Sequence, residues 1–209
     1  MTTSNKESQD STTPERALEI LREGNKRFQA RSGVDRDLIQ QVHETQGGQW
    51  PIAAVLGCID SRVSPELVFD QGVGDIFSAR VAGNFVNGDI LGSLEFACKV
   101  AGSKLVVVLG HTSCGAVKGA CDKVELGNLT SMLANITPAV DAVIDPRDEA
   151  LRNSGNPDFV QSVALRNVRM NRDAIMKQSD VLREMSEGGE IIVAGAMYDV
   201  ASGAVNFLD

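Results

Sequence analysis

No stretch of this chain is rich in lysine or arginine, and 20 basic against 28 acidic residues leave a formal charge of −8. Binding nucleic-acid phosphates needs a basic face, so no nucleic acid is expected as a partner. A negative total still leaves room for a small anionic substrate, because one buried arginine sets the field of its own pocket. Nor does any segment carry the ~18 uninterrupted apolar residues of a membrane helix. Met1 to Asp10 is polar where a signal peptide would have its apolar core. No membrane partner and a cytoplasmic location are therefore expected. Internal repeats are missing, and composition is biased only over residues 1–12, rich in Ser, Thr, Asn, Gln and charge. Histidine is scarce, at two, and cysteine numbers four. In a large chain without a secretory signal, thiols serve metals sooner than disulfides.

With 209 residues and 43% hydrophobic content the chain can bury one sizeable core. Residues 1–12 are expected to form a flexible N-terminal arm and residues 13–209 a single domain. Thr13-Pro14 starts a helix: threonine caps, proline suits the first helical position, and Glu15 suits the positive end of the dipole. Leu18, Leu21, Gly24/Asn25 and Phe28 share one face of it, which needs an apolar surface in its own domain or on a partner subunit. A second helix runs from Asp37 to Thr45 and closes at Gly47-Gly48. Strands and helices then alternate. Pro51 to Leu56, Ile76 to Ala79 and Leu105 to Leu109 read as strands. Ser64-Pro65-Glu66 starts a helix, and Asp89 to Lys99 and Cys114 to Lys123 read as helices. The last third is helical from about Pro157 to Glu187, broken at Gly188-Gly189. Ile191 to Met197 and Ala204 to Leu208 follow as strands joined through Ser202-Gly203. Continuous apolar strands separated by helices define an α/β fold: a central, mostly parallel β-sheet flanked by helices, with an N-terminal helical arm and a C-terminal hairpin.

Two short clusters carry the chemistry: Cys58-Ile59-Asp60-Ser61-Arg62 and His111-Thr112-Ser113-Cys114-Gly115. Two thiols, a carboxylate and an imidazole are ligand types that suit zinc. Each cluster follows an apolar strand, and ligands of a parallel sheet collect beyond the carboxyl ends of its strands, so the halves can meet. A structural zinc site has no need of a cation beside a ligand, so Arg62 points to a metal used for chemistry. The other histidine, His43, lies in a polar helix without cysteine neighbours and reads as solvated. Cys98 and Cys121 fall on helices and read as packing residues.

The chain resembles the β-class carbonic anhydrases from about Thr13 to Leu208. The resemblance rests on Glu23-Gly24-Asn25-Lys26-Arg27-Phe28, Cys58-x-Asp60-Ser61-Arg62, Gly74-Asp75-x-Phe77, Arg80-Val81-Ala82-Gly83-Asn84, Gly92-Ser93-Leu94-Glu95 and Gly110-His111-Thr112-Ser113-Cys114-Gly115. It implies one Zn²⁺ per subunit on Cys58, His111 and Cys114, with water or Asp60 in fourth place. It also implies reversible hydration of CO₂ to bicarbonate and a proton by a zinc-bound hydroxide. If Asp60 ligates the metal the site is closed; paired instead with Arg62, it is open and the carboxylate can orient the attacking oxygen. Such a family member is expected to be a homodimer or a dimer of dimers, a homotetramer.

Three substrate contacts are implied in the same way: Gln49, nine residues before Cys58, Phe77 in the apolar pocket wall, and the Gly115 backbone N–H. Phe96 departs from the tyrosine that often follows the motif glutamate, and Ala82 stands where plant-type members often carry valine. Some bacterial members bind bicarbonate away from the metal through a tryptophan, an arginine and a tyrosine. Arg80 and Tyr198 match two of these, but Val55 replaces the tryptophan, which favours an open centre at neutral pH. The rival readings are hydrolysis of COS or CS₂ on the same scaffold, a non-catalytic zinc protein closed by Asp60, and a redox role for Cys58 and Cys114.

Overall fold

A computed structural model of the chain describes residues 4–208. Its five strands are β1 (Ala53–Gly57), β2 (Ile76–Arg80), β3 (Leu105–His111), β4 (Ile192–Tyr198) and β5 (Val205–Leu208). They form one sheet in the order β2-β1-β3-β4-β5. The first four run parallel, and β5 closes an antiparallel hairpin on β4. β1 and β3 are buried along their whole length, as apolar strands covered on both faces must be. Edge strand β2 is partly open.

The period-two alternation of β1 and β3 divides the core into two layers. Ala54, Leu56, Val106 and Val108 face one side; Ala53, Val55, Leu105, Val107 and Leu109 face the other. The helices are α1 (Lys6–Ser11), α2 (Pro14–Gln29), α3 (Leu38–Thr45), α4 (Pro65–Val68), α5 (Gly88–Glu95), α6 (Gly115–Cys121), α7 (Gly127–Leu133), α8 (Thr137–Ala142), α9 (Pro157–Gln178) and α10 (Asp180–Glu187). Residues from α5, α6, α8, α9 and α10 build the first layer, and α2 and α4 contribute to the second. No helix among the described residues is long and apolar enough to cross a membrane.

The first long helix starts as expected, with the Thr13 hydroxyl accepting the Arg16 N–H. Its surface is its own domain: Ala17 and Leu21 are fully buried in the second layer. Asn25 fastens it, donating to the carbonyls of Val68 and Gly203 at 2.9 Å each and accepting the Val205 N–H at 2.9 Å. Arg27 and Arg36 together grip Asp70.

Four expectations change. The arm read as flexible carries a helix, α1 over Lys6–Ser11, capped reciprocally by Asn5 and Ser8. Gln9 of that helix is buried and donates to the carbonyls of Pro51 and Ala101, both at 2.8 Å. A polar segment thus docks through hydrogen bonds that composition does not reveal; Met1–Thr3 lie outside the described residues. The helix read over Asp89–Lys99 is α5 followed by a π-helical turn, Phe96–Val100. The helix read over Pro157–Glu187 breaks at Ser179, which ends α9 and caps α10 through its hydroxyl. Finally, α7 and α8 occupy a stretch to which the sequence reading assigned no element.

Gly24 in α2 lies directly under the Phe69 carbonyl, which a Cβ would strike. An alanine inside a helix ordinarily stabilises, but here the obstacle is backbone and cannot rotate away. Gly24→Ala is expected to destabilise the fold by about 3 kcal/mol. Urea denaturation checks this, and an unchanged midpoint would refute the close contact.

Candidate metal centre and active site

The parallel pairing of β1 with β3 sets Gly57 opposite Leu109. The residues that leave the two strands at the carboxyl edge therefore converge. Cys58, His111 and Cys114 are all buried, and one ligand atom from each lies within 4.8 Å of the others. The two sulfurs are 3.9 Å apart. His111 Nδ1 donates to the Thr112 carbonyl at 2.9 Å, which fixes the tautomer with its lone pair on Nε2. Nε2 is buried and accepts no hydrogen bond from the protein. A buried acceptor left free between two thiols is costly unless something binds it. The three donors fit Zn²⁺ in number, type and proximity.

The local backbone serves this convergence. Ser113 takes a positive φ of 55°, which turns the chain between His111 and Cys114. Cys58 Sγ accepts the Gly83 N–H at 3.3 Å. Arg80, at the end of β2, donates from Nε to the Cys58 carbonyl at 2.9 Å and from Nη2 to the Asp60 carbonyl at 2.7 Å. It clamps the loop that carries the first donor.

The electrostatics follow from those contacts. The hydrogen bond between the two thiols holds the Cys58 thiol well below its ordinary range. Burial opposes this, while the backbone N–H groups of Gly83 and Asp60 add to it. The same hydrogen bond, with burial, drives Cys114 upward. Cys98 and Cys121 are buried packing thiols, as expected, and burial pushes them up to about 12 and about 11.

Asp60 and Arg62 border the donors. Arg62 donates from Nε to Asp60 Oδ1 at 2.9 Å, from Nη2 to Oδ2 at 2.7 Å, and from its backbone N–H to Oδ1 at 3.0 Å. Those hydrogen bonds hold the Asp60 carboxyl far below the usual carboxylate range. Asp60 Oδ2 also stands 3.9 Å from His111 Nε2, so the carboxylate touches the cluster's rim while it is paired with the arginine.

The five residues of the two clusters thus come together, and Gly115 follows directly as the exposed first residue of α6. Phe77 does not join them. It lines a groove of about 650 Å³ along β2 with Ala54, Ala79 and Phe96, and none of the three donors lines that groove. Gln49 lies with Thr45, Gly48 and Gly74 at the amino ends of the strands, the edge opposite the donors. Two further contacts hold the cluster, those of Arg80 and of the Gly83 N–H. In the sequence Arg80 reads as part of a bicarbonate-binding pattern rather than as a clamp, and the Gly83 N–H carries no side-chain signal. The Arg80–Asn84 block directly after a strand was the available hint.

A parallel α/β sheet with a Cys-His-Cys centre at its carboxyl edge, rimmed by an ion-paired carboxylate, defines a metalloenzyme of zinc type. The carbonic anhydrase family model matches residues 53–205, and the chain belongs to that family, in its β class. It is 36% identical to carbonic anhydrase 2 of Mycobacterium tuberculosis over 200 residues, covering 92% of this chain and 91% of that one. It is similar to the crystal structure of a β-carbonic anhydrase from Aspergillus fumigatus (TM-score 0.73, 29% identity, 88% and 87% of the two chains). A tetrameric β-carbonic anhydrase of Sordaria macrospora shares the fold (TM-score 0.67, 23% identity, 81% and 89% covered). The chain is accordingly a lyase of the carbonic anhydrase type.

His111→Ala and Cys114→Ser are each expected to abolish zinc retention, whereas Cys98→Ser keeps it in full. Elemental analysis of zinc-loaded, desalted protein checks this; zinc retained by either donor variant would contradict the assignment.

Proposed function

We propose that this chain hydrates CO₂ reversibly to bicarbonate and a proton at one zinc centre per subunit, with Asp60 and Arg62 as its gating and orienting pair. Zinc on Cys58, His111 and Cys114 would supply the Lewis acidity that makes water a nucleophile near neutral pH. The remaining roles belong to the protein. Asp60, held by both arginine nitrogens, keeps one oxygen at the rim of the donors, where it can accept a hydrogen bond from the attacking water and aim its lone pair at CO₂. Because Arg62 keeps its acidity high, Asp60 orients without retaining the proton. The half-exposed Arg62 side chain leaves the pair open to solvent, to which the proton departs.

The observation that carries this reading is the two-point pairing of Asp60 with Arg62 beside a partnerless His111 Nε2. It favours an open centre over a non-catalytic site closed by Asp60. Among the substrate contacts, Gly115 adjoins a donor within the chain. Phe77 and Gln49 could reach substrate only in a second copy, consistent with a homodimer or a dimer of dimers. Arg62→Ala is expected to cut CO₂ hydration at least about tenfold while zinc stays bound. Stopped-flow hydration with parallel metal analysis tests it; full turnover in that variant would remove the gate.

A further inference from the structure

Gly83 brings a backbone N–H to the Cys58 sulfur, and its turn is held from outside the two metal motifs. Its φ is +84°, and a Cβ there would strike Ile136, so the turn packs against the residue that leads into α8. The Gly83 carbonyl accepts a hydrogen bond from Asn167 Nδ2 at 2.8 Å. Asn167 lies in α9 and is 1% exposed.

One turn further on, Asn171 donates from Nδ2 to Asn167 Oδ1 at 3.0 Å and to the Asn167 carbonyl at 2.8 Å. Its own Oδ1 accepts the Val86 N–H at 2.8 Å. These bonds leave each carboxamide a single orientation, because Val86 requires an acceptor at one end and Gly83 requires a donor at the other. The two asparagines therefore strap both ends of the Gly83–Val86 turn to α9. Burying two carboxamides in a helix face otherwise packed by Val163, Val168 and Ile175 carries a desolvation cost that leucine would avoid. The bonds they make offset it and fix the turn.

We propose that Asn167, oriented by Asn171, is a positioning residue for the metal centre: by pinning the Gly83 carbonyl it holds the Gly83 N–H on the Cys58 sulfur and limits the charge this thiolate donates to the metal. The proposal rests on the zinc reading of Cys58, His111 and Cys114. Residues that hydrogen-bond to metal ligands set ligand geometry and donor strength, and their loss commonly weakens metal binding ~10–100-fold. Asn167 acts one peptide further out, through the Gly83 turn.

The test uses the full chain loaded with Co²⁺ in place of zinc, whose thiolate-to-metal charge-transfer band reports on sulfur donation, and zinc affinity from competition with a chelator. In Asn167→Leu the band is expected to move to longer wavelength and zinc affinity to fall about tenfold or more. Val160→Ala, which opens a core cavity in the same helix without touching the turn, is expected to lose stability with band and affinity unmoved. If Asn167→Leu does not fold, Asn167→Ala is measured in its place, since it removes the donor for Gly83 without adding bulk. An unmoved band in the asparagine variant, or an equal shift in Val160→Ala, would overturn the proposal while leaving the zinc reading intact. Absence of any thiolate band in the unsubstituted protein would overturn both.

Discussion

The in-register parallel pairing of β1 with β3 is the constraint on which the centre depends, because it alone brings residues 58 and 111 to the same edge of one sheet. Leu56 lies against Val108 and Gly57 against Leu109, so the chain leaving β1 delivers Cys58 beside the end of β3, where His111 stands. A slip of one residue would turn every side chain of either strand to the other layer and carry the donors apart. The fully buried valines and leucines of these strands therefore do more than fill a core. They set the register that sets the ligand distances.

Around that register the protein must hold two sulfurs and an imidazole out of water without leaving their neighbours unsatisfied. The contacts divide the work. Thr112 fixes the tautomer of His111 through its carbonyl, its backbone N–H donates to Tyr198 at the end of β4, and its hydroxyl accepts the Val200 N–H just beyond. Arg80 holds the loop between Cys58 and Asp60 by two carbonyls, and Gly83 places a backbone dipole on the first sulfur. Each of these partners is fixed by a strand end or a tight turn, so the donors are preorganised before a metal arrives. Asp60 differs. Its partner, Arg62, lies on the same loop and is half exposed.

The donors were legible in the sequence because ligand chemistry is concentrated in short motifs and because apolar strand patterns announce where a sheet ends. Cys58, His111 and Cys114 needed no long-range information beyond the expectation of a parallel sheet. Thr13-Pro14 and Ser202-Gly203 were readable for the same local reason, as cap and turn chemistry. What escaped depends on partners distant in sequence. Gln9 looks like part of a mobile polar arm until Pro51 and Ala101 present their carbonyls. Ser179 looks like the interior of one long helix until Glu95 accepts its hydroxyl and Leu182 donates to it.

Whether the metal has three protein donors, with the carboxylate held away, is measured directly by a crystal structure of the zinc-loaded protein near neutral pH. Zinc on Cys58 Sγ, His111 Nε2 and Cys114 Sγ, with both oxygens of Asp60 still on Arg62, is the result predicted here. An Asp60 oxygen in the zinc coordination sphere under those conditions would contradict it.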